Sequence, residues 1–330
     1  MSFPYYTGNP KNRRESGPAQ LPGSRRAKQT DPKGYIPDPG LVDAVNVALL
    51  LGQPLLLTGE PGTGKTQLAY SLAWELGYDL PLIFETKSSS ASRDLFYTYD
   101  ALSHFRAVQT GAGGNVIDYT TWNAMGVAIL RSRPEPEVKQ WLNGDFKHGG
   151  ARRSVVLIDE IDKAPRDFPN DLLNEVENLY FRVPELNNAR IDAGEELRPI
   201  LVLTSNSEKN LPDAFLRRCV YYNIPFPDKG RLAEIVMSRV GGFEKSANRL
   251  LDDALDLFFK LRESSSGLRK KPATAELIGW LLMLREHGAT SDQPLRENGE
   301  SVFKSLSVLV KSAEDQMAAK NIVENWLKLG

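Results

Sequence analysis

Short apolar runs punctuate the first two thirds of the chain, at residues 54–58, 82–85, 154–158, 200–204 and 219–224. They are nearly continuous rather than alternating, as strands covered on both faces are. After the first run, 67–74 reads Gln-Leu-Ala-Tyr-Ser-Leu-Ala-Trp, a helical segment. Short apolar strands alternating with helices predict a parallel sheet with helices on both faces. The stretch 88–152 is long for one crossover and carries Ser88-Ser89-Ser90 and Gly111-Ala112-Gly113-Gly114. It is expected to hold loops and a small insert. Pro225-Phe226-Pro227 ends the pattern. Beyond it the period is helical. Leu250, Leu251, Ala254, Leu255, Phe258 and Leu261 share one face, as do Leu277, Ile278, Leu281 and Leu282 after a helix start at Thr274. Residues 314–329 form a further amphipathic segment. The expected organisation is a tail over 1–34, an α/β domain over 35–226 and an all-α domain over 227–330.

Composition narrows the class without naming a function. The 330 residues are 41% hydrophobic and 25% charged, as globular proteins are. No apolar run approaches the roughly 18–20 residues of a membrane-spanning helix, and the N-terminus has no apolar signal core. Cys219 is the single cysteine, so no internal disulfide forms, which fits a reducing cytoplasm. His104, His148 and His287 are scattered and make no metal cluster with it. The net charge of −1 says little, but residues 1–34 concentrate Lys11, Arg13, Arg14, Arg25, Arg26, Lys28 and Lys33 among five prolines. Such a segment buries too little apolar area to fold alone. It reads as a solvated tail, or as an arm for a neighbouring subunit or nucleic acid.

The residues after the first run carry the chemistry. Gly59-Glu60-Pro61-Gly62-Thr63-Gly64-Lys65-Thr66 is a phosphate-binding loop. Its glycines let backbone N–H groups wrap a phosphate, Lys65 supplies charge to the terminal phosphates, and the Thr66 hydroxyl suits Mg²⁺. The following helix adds its N-terminal dipole. The run 155–158 ends in Asp159-Glu160. Asp159 is placed to hold Mg²⁺ bridging nucleotide phosphates, and Glu160 to activate an attacking water. The run 200–204 delivers Asn206 to the same sheet edge, where it can hydrogen-bond water or the terminal phosphate. Arg217 and Arg218 precede the last run. One of them can reach a neighbouring subunit's site as an arginine finger. The plain alternative is a surface pair bridging local acids.

In this order the four motifs, 59–66, 155–160, 204–206 and 211–219, resemble the AAA+ ATPases. Ile158-Asp159-Glu160-Ile161-Asp162-Lys163-Ala164 and Phe181-Arg182-Val183-Pro184-Glu185 are similar to the patterns of the MoxR branch. The resemblance spans roughly 35–290. It implies a P-loop NTPase sheet of order 5-1-4-3-2, a small C-terminal helical lid, hydrolysis of ATP with Mg²⁺, and a homo-oligomeric, hexameric ring. It makes Asn206 sensor 1 and matches Arg218 to the arginine of a Leu-Asp-Arg-Phe pattern, with Arg217 where Asp usually stands. It sets Asp94-Leu95-Phe96-Tyr97 near a central pore. The branch's lid offers a Ser-Pro-Arg motif. Here the match is Arg269-Lys270-Lys271-Pro272-Ala273-Thr274, leaving Lys271 or Arg269 as the substitute.

The implied function is ATP-driven remodelling or chaperone-like maturation of a partner protein. The alternatives are an ATP-gated scaffold with slow turnover and a nucleic-acid-associated motor, which only the basic tail supports. No Asn-Lys-x-Asp motif reads guanine. MoxR-like proteins work with von Willebrand A-domain partners. Such a client is a separate chain, since no Asp-x-Ser-x-Ser motif occurs here. No membrane association is expected, and the expected compartment is the cytoplasm.

Overall fold

A computed structural model describes residues 31–111, 113–144, 146–208, 211–240, 242–243 and 248–328. Residues 1–30 of the basic tail lie outside the described residues. The described residues divide into two compact units, one within 35–226 and one that groups 31–34 with those of 227–328.

The first unit is built on a five-stranded parallel sheet. Its strands are β1 (Leu55–Gly59), β2 (Leu82–Glu85), β3 (Val155–Asp159), β4 (Ile200–Thr204) and β5 (Val220–Ile224). They lie in the order β2-β3-β4-β1-β5, which is 5-1-4-3-2 read from the other edge. All four pairings are parallel. Strand alternation divides the side chains between two cores. Leu56, Val156, Ile158, Leu201 and Leu203 belong to one. Leu55, Leu57, Val155, Leu157 and Val202 belong to the other, beneath the helices Pro39–Leu51 and Lys65–Glu75. This is the P-loop NTPase fold. Each fully buried aliphatic side chain contributes about 1.5–3 kcal/mol by leaving water, so the central strands fix the frame on which the site sits.

The long crossover between β2 and β3 contains the expected insert. Tyr97–Tyr99 and Thr120–Trp122 pair as a short antiparallel hairpin, with the helix Ala101–Gln109 between them. Leu95, Phe96 and Tyr97 are buried. The Phe96 ring stacks on Phe181 at 5.2 Å. The segment 94–97 therefore does not display its apolar side chains as a pore loop would. The helix next to it does, with Leu102, Phe105 and Val108 each 58% exposed. A second hairpin pairs Tyr180–Val183 with Ala189–Asp192.

The second unit is all-α apart from its connecting segments. Lys229–Val240, Arg249–Arg262, Thr274–Glu286, Gly299–Leu309 and Ala313–Lys328 are its main helices. Of the faces read from the sequence, Leu250, Leu251, Ala254, Leu255, Phe258, Leu261, Leu277 and Leu281 are buried in its core, whereas Ile278 and Leu282 are only half-buried and Trp280 and Leu284 complete the buried face instead. Among the described residues no helix is long and apolar enough to cross a membrane.

Candidate functional site

Parallel strands place their carboxyl ends on one edge of the sheet, and there β1, β3 and β4 deliver their polar residues. The turn after β1 needs glycine for specific reasons. Gly59 has φ 140°, and a Cβ on it would lie 2.7 Å from the Ile224 carbonyl oxygen. Gly64 has φ 90°, and a Cβ there would meet the Tyr35 ring at 3.0 Å. The helix Lys65–Glu75 starts at Gly64 with no side-chain cap, so its first N–H groups face the loop. That is an anion cradle at a helix N-terminus.

Lys65 is nearly buried at 7% exposure. Its Nζ donates to the carbonyl oxygens of Gly59 (2.8 Å) and Glu60 (3.1 Å) and to Asn206 Oδ1 (3.2 Å). Burial pulls its pKa below the usual lysine value, and Asp162, Asp159 and Glu160 pull in the opposite direction. The ammonium is thus held against oxygen acceptors, the kind of partner that phosphate oxygens also supply.

Strand alternation aims Asp159 at the face covered by the helix Lys65–Glu75. Thr66 Oγ1 donates to Asp159 Oδ1 at 3.0 Å. Thr204 Oγ1, from the neighbouring strand β4, donates to the same oxygen at 2.5 Å. Hard oxygen ligands from Thr66 and Asp159 fit Mg²⁺ in chemistry. Among the described residues no group of three or more His, Cys, Asp or Glu could hold a metal ion.

Glu160 follows Asp159 but turns away from the strand. It has φ 55° and ψ 51°, a left-handed conformation uncommon for a non-glycine residue. Its N–H donates to Thr204 Oγ1 at 2.8 Å, and its carboxylate pairs with Lys163. Lys163 is thus an ion-pair partner of the strand-end glutamate. Asn206 N–H donates to Asp162 Oδ1 at 3.3 Å. The fold therefore gathers 59–66, Asp159, Glu160 and Asn206 at one sheet edge.

The model of the ATPase family associated with various cellular activities (AAA) matches residues 55–226, just over half of the chain. The protein belongs to this family. Two curated relatives each align with this AAA ATPase over 66 residues. RuvB-like 2 of Caenorhabditis elegans is 35% identical over that length, and RuvB-like helicase 1 of Drosophila melanogaster 36%. Each alignment covers 20% of this chain and only 15% and 14% of those proteins. Among solved structures, a chain from a study of katanin self-assembly shares 15% identity over 93% of this chain and 99% of that one, with a TM-score of 0.44. A Thermotoga maritima RuvB mutant shares 17% identity over 88% of this chain and 85% of that one, at 0.37.

Three further sequence candidates of this AAA ATPase, Arg218, Arg217 and Lys271, lie apart from that edge cluster's hydrogen bonds. Arg218 Nε pairs with Glu177 at 2.8 Å and its Nη1 donates to the Ala214 carbonyl at 2.9 Å. Arg217 is exposed, and its side chain makes no hydrogen bond or ion pair among the described residues. Lys271 is exposed and belongs to the helical unit. In that unit the N–H groups of Arg269 and Lys270 donate to the buried Asp315 carboxylate at 3.0 and 3.1 Å, and Arg269 pairs with Glu314. Sequence reasoning missed the parts played by Thr204, Asp162 and Lys163. A threonine ending an apolar strand beside Asp-Glu was the one available signal.

Proposed function

We propose that the protein binds and hydrolyses ATP at this edge. As a homo-oligomeric ring, hexameric by analogy with the MoxR-like branch, it uses the cycle to remodel a separate partner protein in the cytoplasm. The observation that carries the reading is the convergence of Lys65, Thr66, Asp159, Glu160 and Asn206, drawn from three strands, on one sheet edge. The loop 59–66 and the helix N-terminus bind and orient the phosphates. Lys65 meets their charge. Thr66 and Asp159 hold Mg²⁺, which when bound neutralises charge building on the phosphate oxygens. Asn206 positions the water and Glu160 takes its proton. Arg218 or Arg217 acts on the neighbouring subunit's nucleotide. Lys271 or Arg269 senses nucleotide from the lid. A von Willebrand A-domain protein fits the client role by the branch analogy.

A slow nucleotide-gated switch is the second reading, and the Glu160–Lys163 ion pair favours it. Turnover measured with ATP and Mg²⁺ on the purified protein, with and without Lys65→Ala, tests both. Hydrolysis that needs Lys65 supports the ATPase. Tight ATP binding with no turnover supports the switch. Binding unaffected by Lys65→Ala rejects the site.

A further inference from the structure

The helical unit carries an exposed basic loop between two buried anchors. Leu268 and Pro272 are buried, and Arg269, Lys270 and Lys271 between them are exposed. Arg262 Nη1 donates to the Pro272 carbonyl at 2.6 Å and fixes one end. The stretch between is held by Asp315, which is 2% exposed and sits in the first turn of the helix Ala313–Lys328. Ser312 Oγ accepts the Asp315 N–H at 3.2 Å, as the first residue of a capping box does. In such a box the acid three residues on reaches back to its own helix start. Here both of its oxygens serve another element. Oδ1 accepts the Arg269 N–H at 3.0 Å, and Oδ2 accepts the Lys270 N–H at 3.1 Å. The Arg269 N–H above all holds this carboxyl below the usual carboxylate range. A buried carboxylate without these donors would be costly, so the contact fixes the loop backbone firmly.

We propose that Asp315 is a positioning residue for this loop, holding its backbone so that Lys271 stays available as the cation that senses nucleotide. This rests on the reading that the loop senses nucleotide. Of the three cations, Arg269 is engaged by Glu314 at 2.7 Å. The Lys271 side chain makes no hydrogen bond or ion pair among the described residues. Its backbone is constrained from both sides. Asp315 holds the N–H of the preceding residue, and the buried Pro272 that follows confines Lys271 to extended conformations. A cation on a backbone fixed in advance loses less freedom when it meets a phosphate. Asp315 is too buried to meet a ligand and acts through Lys271.

A double-mutant cycle on ATP affinity, measured with Mg²⁺ by nucleotide titration of the full chain, tests this. Lys271→Ala and Asp315→Asn should each weaken ATP binding about three- to tenfold, the scale of one hydrogen bond. The double variant should bind no more weakly than Lys271→Ala, because both changes remove the same contact. A merely structural role for Asp315 would multiply the two effects instead. A second measurement leaves Asp315 in place and so does not depend on Asp315→Asn folding. Coupling is reciprocal, so saturating ATP should slow amide exchange at Arg269 and Lys270 about three- to tenfold in wild type, and Lys271→Ala should abolish that slowing. Wild-type affinity in Asp315→Asn, effects that multiply, or exchange that ATP leaves unchanged each overturns the proposal. If Lys271→Ala still weakens ATP binding in those cases, the positioning role alone falls. Weakening by Arg269→Ala and not by Lys271→Ala overturns the proposal and leaves sensing by the loop in place. If neither variant weakens binding, the sensing reading beneath it falls as well.

Discussion

Thr66 and Asp159 stand 93 positions apart in the chain and share a hydrogen bond of 3.0 Å. The contact exists because β1 and β3 lie two places apart in one parallel sheet, with the helix Lys65–Glu75 packed over both. It brings a hydroxyl and a carboxylate together beside the phosphate loop, where a hard divalent cation is best held.

Asp159→Asn should leave the protein folded and weaken Mg²⁺-dependent nucleotide binding. The amide is close in size and can still meet Thr66 and Thr204, but the anionic ligand is gone. Isothermal titration with ATP, with and without Mg²⁺, checks this. Equal Mg²⁺ dependence in the variant and wild type would remove Asp159 from the metal site.

Mixing experiments assign the arginines. Arg218 is tied to Glu177 within its own chain, whereas Arg217 is exposed. If Arg218 serves the neighbouring subunit, Arg218→Ala keeps ATP binding and loses hydrolysis. Mixing it with Glu160→Gln subunits should then restore activity above either alone, because some interfaces regain both groups. If verified mixed oligomers restore nothing, and Arg217→Ala does complement, the role passes to Arg217.

Cys219 supplies a check on the edge of the sheet that is independent of catalysis. Burial pushes its thiol up to about 12, so the neutral form prevails in the folded protein throughout the neutral range. The thiolate is the nucleophile, so iodoacetamide at pH 8 should modify native protein far more slowly than unfolded protein. The sign follows from linkage. A raised folded value adds stability below the unfolded thiol's pKa, and that stability is lost as pH rises from about 9 towards 12. Native labelling at the rate of a free thiol would contradict the burial.

The sheet was legible because its strands announce themselves locally. Ile200–Thr204 is apolar at every position but the last, and Gly59–Thr66 needs no distant partner to be recognised. The helix Pro39–Leu51 was not foreseen. Its Pro-Gly-Leu-Val-Asp-Ala-Val-Asn-Val-Ala-Leu-Leu-Leu has no clean helical stripe, and Leu50 is 85% exposed while Leu41 is buried. Only Asp38 as N-cap before Pro39 marked its start. The hairpin strands of the insert are three residues each, too short for a period. Within the site, Thr204 and Lys163 acquire their roles from register and from the left-handed turn at Glu160. Neither is a property of local sequence.

Glu160→Gln gives the most direct test of the central claim. The substitution keeps size and hydrogen-bonding capacity and removes the group that accepts a proton, so ATP should bind at near wild-type affinity. Hydrolysis should fall by about 10²–10⁴-fold, the usual weight of a positioned general base. Both quantities are measured on the same purified protein, affinity by nucleotide titration and turnover by phosphate release. Hydrolysis at the wild-type rate in a variant that still binds ATP would contradict the account.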